Sequence, residues 1–168
     1  HYVTNGDEVW ATCRQPCSEL EALGVHVIEG VEVTSAEGAL RLQEGLGNTQ
    51  LDITIINAGV LVRTPLNSLS FEDVERQFSV NAMGPLRMAH ALLNNLSEGA
   101  KLGIMTSRMG SITDNTSGGS YGYRMSKVAL NMAGKSLAVD LKPRGIAVAI
   151  LHPGLVRTRM IQFNPLGI

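Results

Sequence analysis

Short apolar runs alternate with longer amphipathic stretches from one end of the chain to the other. "EVWATC" at 8–13 alternates and is rich in β-formers, and Gly6 just before it reads as the end of a preceding helix. "VHVIEG" at 25–30 reads as a second strand. Thr34 with Glu37 makes a capping box, opening a helix that runs to about Leu46 and ends at Gly47. "LDITIINAG" at 51–59 is a continuous apolar run closed by turn residues, the pattern of a strand buried on both faces. Ser70 with Asp73 opens a long helical stretch carrying Phe71, Val74, Phe78, Leu86, Leu92, Leu93 and Leu96. "KLGIMTS" at 101–107 predicts another strand, followed by the polar loop "DNTSGGS". A helix bearing Tyr123 comes next, reaching about Leu141 before Pro143 stops it, and "IAVAIL" at 146–151 predicts a last buried strand.

Strands that alternate with helices call for a parallel sheet covered on both faces, since each crossover lays its helix over one side. No repeat or linker interrupts the pattern, so residues 1–168 read as one α/β domain. Apolar residues make up 44% and charged residues 17% of the 168, which suits a buried core and argues against disorder. The net charge of −1, without a basic run, removes electrostatic support for a nucleic-acid or membrane-surface partner. No apolar run approaches the ~20 residues of a membrane span. Cys13 and Cys17 have no third or fourth ligand nearby, and the histidines are scattered, so no metal is expected. The two cysteines read as reduced thiols of a cytoplasmic protein.

Ligands of open α/β sheets sit at the carboxyl ends of the strands. That rule selects Arg14, Asn57, Ala58, Gly59, Ser107, Pro153 and Gly154. Small residues at 58 and 59 let backbone approach a flat cofactor, and Ser107 can bond a carbonyl oxygen. Tyr123 and Lys127 are one helical turn apart, so an ammonium can stand near a phenol and favour the phenolate. Alone, that spacing is equally an ordinary shared helix face. Pro85 brings no N–H to the carbonyl of Asn81, which is then either part of a plain proline kink or a place to hold a water.

Taken in order, "INAG" at 56–59, Asn81, "MTSRMG" around Ser107, "YRMSK" at 123–127 and "HPGLVRT" at 152–158 resemble the short-chain dehydrogenase/reductase family. The region around Tyr123 is similar to the C-factor-like and carbonyl-reductase-like subgroup. The resemblance implies a Rossmann-type doubly wound parallel sheet and hydride transfer between a nicotinamide and a carbonyl or alcohol. It implies Tyr123 as acid/base, Lys127 as the residue that tunes it and binds the nicotinamide ribose, Ser107 as carbonyl stabiliser, and Asn81 as holder of a relay water. Asn57, Ala58 and Gly59 would line the adenosine and ribose, and Pro153, Gly154 and Thr158 the nicotinamide end. Glu32 and Val33 stand where the family places an acidic–hydrophobic pair near the adenine. Arg14 suits a 2′-phosphate, which favours NADP(H) over NAD(H). The helices of Asn81 and Tyr123 often pair between subunits in this family, so a homodimer or homotetramer is implied, with a stripe at Ala129, Ala133 and Gly134 allowing close helix approach.

The family opens with a strand and a glycine-rich Thr-Gly-x-x-x-Gly-x-Gly turn, and it continues past Thr158 through a further helix and strand. Nothing here matches that turn. The missing first strand is normally central, so its neighbours should lack a partner. The expected reading is a longer enzyme of which these residues are part. The alternative is a fragment that binds no dinucleotide and serves in binding or signalling without turnover.

Overall fold

The computed structural model describes residues 1–154 and 156. A short 3-10 turn (Val3–Asn5) ends at Gly6, whose left-handed φ of 88° lets its N–H reach the Val3 carbonyl. Strand β1 (Trp10–Thr12) then pairs in parallel with β2 (His26–Ile28) through the short helix α1 (Ser18–Glu21), which the sequence pattern did not predict. Helix α2 (Ala36–Leu46) buries Gly38, Leu42 and Leu46, four residues apart on one face. Its cap is Ser35, not Thr34: the Ser35 hydroxyl accepts from the Gly38 N–H at 2.9 Å. Thr34 is taken by the Glu32 carboxylate, which accepts from both its N–H and its hydroxyl.

Strand β3 (Leu51–Ile56), β4 (Leu96–Met105) and β5 (Ala147–Leu151) form a second parallel sheet with β4 in the middle. β4 starts five residues earlier than the pattern suggested, and its register slips where Gly99 turns left-handed. Leu96 therefore belongs to a strand, not to the preceding helix. Among the described residues β1 pairs only with β2 and β3 only with β4, so the strands fall into two sheets. Ile53 and Ile55 of β3 and Ile150 of β5 stay about half exposed, contrary to the burial on both faces expected of β3 and the burial expected of β5. The burial is concentrated on β4, where Leu96, Leu102 and Ile104 are almost fully enclosed.

The predicted long helix divides in three: α3 (Phe71–Phe78), a wide π-turn (Ser79–Met83) and α4 (Gly84–Ala91). The Gly84 N–H reaches back to the Ser79 carbonyl, so the turn holds an extra residue instead of breaking. Helix α5 (Tyr121–Asp140) packs on β5 and against α3, ending close to where Pro143 required. Leu130 of α5 joins Met88 and Leu92, Leu102 and Ile104, and Leu42 and Leu46 in one core. Gly134 is not a helix–helix contact: a Cβ there would lie 2.9 Å from the Ile150 side chain, so it seats α5 on β5.

Gly38 carries the sharpest packing constraint, because a Cβ would lie 2.1 Å from the Glu32 carbonyl oxygen, a backbone atom. Gly38→Ala should destabilise the fold by about 1–3 kcal/mol, seen as a lower urea midpoint with an unchanged slope. An unchanged midpoint would contradict this packing.

Candidate active site

Helix α5 begins after Gly118, Gly119 and Ser120, all with left-handed φ (63°, 65° and 48°). Ser120 adopts it without being glycine, a strained conformation that its surroundings must hold. They do so at several points. The Ser120 N–H donates to the Thr64 carbonyl at 3.2 Å. Arg124 folds back so that Nε donates to the Gly118 and Gly119 carbonyls and Nη2 to the Ser117 hydroxyl. The start of α5, and with it Tyr123, is thereby fixed in place.

Gly122, Tyr123, Ser126, Lys127, Leu130 and Gly134 form the buried stripe of α5. Ser107, just past β4, caps the 3-10 turn Arg108–Gly110, and its hydroxyl stands near enough to the Tyr123 phenol to favour the phenolate. Lys127 is 4% exposed, and its ammonium donates to the Met105 carbonyl at 2.9 Å, at the end of the same strand. The ammonium lies 5.7 Å from the centre of the Tyr123 ring. Asn131, one turn on, accepts from the Thr106 hydroxyl at 2.6 Å and donates to the Gly110 carbonyl at 3.1 Å. Strand end, serine, tyrosine and lysine thus form one cluster.

Burial pushes the Tyr123 phenol above its ordinary pKa, and the Ser107 hydroxyl offsets part of that rise. The sequence argument expected the neighbouring cation to lower it. The lysine instead spends its proton on a backbone carbonyl beneath the ring, so desolvation wins. Burial also depresses Lys127 itself, to about 8.

Asn81 is fully buried in the π-turn. Its Oδ1 accepts from the Val60 N–H (2.8 Å), and its Nδ2 donates to the Val60 carbonyl (2.9 Å) and the Ser126 hydroxyl (3.1 Å). The Ser126 hydroxyl in turn donates to the Tyr123 carbonyl at 2.8 Å. With both side-chain hydrogens committed, Asn81 can meet a relay water only as an acceptor, and its backbone carbonyl is the group that Pro85 leaves without its usual helical partner.

The remaining sequence candidates are distributed along the same carboxyl edge. Asn57 and Ala58 are exposed and Gly59 half-buried beyond β3, while Pro153 and Gly154 are exposed beyond β5. Arg14 and Glu32 meet at 3.7 Å in an open cleft of about 520 Å³ of mixed charge, lined also by Glu29, Ser35, Glu37 and Arg41. Val33 packs its side chain near Gly84, and its carbonyl accepts from Arg87 at 2.7 Å. Thr158 lies outside the described residues. Gln77, Ser126 and Asn131 were missed as site residues. The signal was available in Gln77-x-x-x-Asn81, two amides on one helix face.

Parallel strands, crossover helices and a ligand edge at the strand ends define a Rossmann-type α/β fold. The chain belongs to the short-chain dehydrogenase family, whose pattern matches residues 6–165. It is similar to 1-hydroxy-2-glutathionyl-2-methyl-3-butene dehydrogenase of a Rhodococcus species, with 43% identity over 95% of this chain and 72% of that protein. It is also 48% identical to C-signal of Myxococcus xanthus, over 66% of this chain and 68% of that one. Among solved structures, a short-chain dehydrogenase/reductase from Burkholderia multivorans with bound NADP superposes with a TM-score of 0.86. That match has 29% identity and spans 95% of this chain and 73% of the other. The protein is accordingly an oxidoreductase by family, of a family that uses nicotinamide cofactors. No helix among the described residues is long and apolar enough to cross a membrane.

The buried lysine makes a pH prediction. Between pH 8 and its ordinary 10.5, Lys127 is deprotonated in the fold but protonated in the unfolded chain, so stability from this group rises with pH across that window. Lys127→Met should abolish that rise and raise stability below pH 8, read from urea midpoints at pH about 7 and about 9.5. A rise of the same size in the variant would contradict the assignment.

Proposed function

We propose that the protein transfers a hydride between NADP(H) and a small carbonyl or alcohol substrate, with Tyr123 as general acid/base. The observation that carries this reading is the buried Tyr123 phenol, with the Ser107 hydroxyl near it and the Lys127 ammonium 5.7 Å from the centre of its ring. A phenol kept protonated by burial is an acid ready to donate to an alkoxide-like oxygen as it forms. Ser107, whose hydroxyl stands near that phenol, holds the substrate oxygen beside it. Lys127, brought to about 8, carries a proton it can yield near neutral pH, and it holds the nicotinamide ribose. The Asn81 carbonyl holds the water that resupplies the proton.

The strand-end edge fits such a cofactor. Small residues at 58 and 59 admit a flat group, and the cleft at Arg14 is open, with Arg14 and Arg41 as its cationic side chains. NADPH, when bound, supplies the hydride. Arg14 is highly exposed and only loosely held by Glu32, which leaves its guanidinium free to meet a 2′-phosphate and supports NADP(H) over NAD(H). Glu32 and Val33 stand toward the adenine, Asn57, Ala58 and Gly59 line the adenosine and ribose, and Pro153, Gly154 and Thr158 serve the nicotinamide end. Met83, Leu86, Met125, Met132 and Val139 leave apolar surface on α5 and around α4, which suits a homodimer or homotetramer. We place the protein in the cytoplasm as a single domain.

Similarity to C-signal favours a second reading, a binding or signalling protein without turnover. A fluorescence titration of the full-length protein with NADPH separates the two: saturable binding is expected, and its absence would overturn the enzyme reading. Tyr123→Phe should lower kcat by about 10²–10⁴-fold while NADPH affinity changes less than about twofold. Turnover retained in that variant would refute the acid/base role.

A further inference from the structure

Between Gly59 and Pro65 the chain crosses from the end of β3 to the start of α5, and its backbone is tied at every second residue. Val60 exchanges both its N–H and its carbonyl with the Asn81 amide. The Val62 N–H donates to Gln77 Oε1 at 2.9 Å. The Thr64 carbonyl accepts from the Ser120 N–H. No strand ladder claims Val60 or Val62, so their half-buried backbone groups depend on these side chains.

Gln77 is as fully buried as Asn81 and sits one helical turn before it. Its Nε2 donates to the Asp73 carbonyl at 3.1 Å within α3. It also lies under Gly122, where a Cβ would come within 2.6 Å of that nitrogen and 2.9 Å of the Val74 Cα. Gly122 precedes Tyr123. One buried amide therefore touches both the strap that begins beyond Gly59 and the residue beside the phenol.

We propose that Gln77 is a positioning residue: it fixes the strap 60–64 against the front of α5 and so sets where Tyr123 stands relative to residues 57–59. The claim rests on the enzyme reading only for its effect on turnover. A role confined to filling the core of α3 would not need the Oε1 bond to Val62. Gln77→Met keeps the volume and removes both bonds, whereas Gln77→Glu, kept protonated by burial, has an acceptor oxygen for Val62 and a hydroxyl to donate to the Asp73 carbonyl.

The experiment follows the Val62 amide by hydrogen exchange and the Tyr123 ring by a ¹³Cζ label in the full-length protein. Gln77→Met should speed Val62 exchange by about tenfold or more, with amides of β4 unaffected, and should displace the Tyr123 ¹³Cζ resonance. Gln77→Glu should restore both toward wild type. Turnover should fall about tenfold or more in Gln77→Met with NADPH affinity unchanged, and recover in Gln77→Glu. An unmoved Tyr123 resonance, or Val62 protection intact in Gln77→Met, would overturn the proposal whether or not the protein turns over. Wild-type protein that binds no NADPH while the resonance moves as expected would sink the enzyme reading and leave the positioning role standing. If Gln77→Met does not fold, Gln77→Glu decides: loss of Val62 protection there overturns the proposal, and retention supports it.

Discussion

Everything at the site depends on how α5 is seated. A twenty-residue helix resting on a sheet by apolar contact alone could slide or roll by fractions of a turn, carrying Tyr123 with it. Polar contacts at several depths prevent that. Lys127 is bonded to the Met105 carbonyl, Asn131 to Thr106 and Gly110, and Ser126 to Asn81. Each of these side chains is expensive to bury without a partner, so a displaced helix would leave them unsatisfied. Specific placement of α5 is thus enforced by the cost of breaking the contacts more than by the strength of any one bond.

The parallel sheet supplies the other half of the arrangement. Because β3, β4 and β5 run the same way, the residues after each of them gather at one edge. β4 is the central and best-buried of the three, and it delivers Met105, Thr106 and Ser107 to the underside of α5. The π-turn adds a second anchor from the opposite side. Its extra residue lets Asn81 enter the interior, where Val60 and Ser126 take up both hydrogens of its side-chain amide. Cofactor edge and phenol are joined through this one buried amide.

Much of this was legible in the residues, and the parts that were not have physical reasons. Strand and helix alternation, the Tyr123–Lys127 pair and the serine past β4 follow from periodicity and motif order. The split at Ser79–Met83 does not, because Pro85 announces a disturbed helix without saying whether it kinks or widens. Ser35 displaced Thr34 as the cap because Glu32 claimed Thr34 first, a competition invisible in a capping-box pattern. Exposure of Ile53 and Ile55 could not be read either, since an apolar strand looks the same whether or not both faces are covered. Gln77 escaped notice because hydrophobic periodicity assigns an amide to the solvent side. The direction of the Tyr123 shift was misjudged for a related reason: spacing reveals a nearby cation but not the dryness of the site.

The central claim is that this seated tyrosine serves hydride transfer, and the most direct measurement is isotopic. Full-length protein would be given small ketones and aldehydes together with NADPH deuterated on either face of the nicotinamide C4. The account predicts one deuterium at the carbinol carbon of the product, delivered from one face only. Bound NADPH with no deuterium in any product from either face would contradict it.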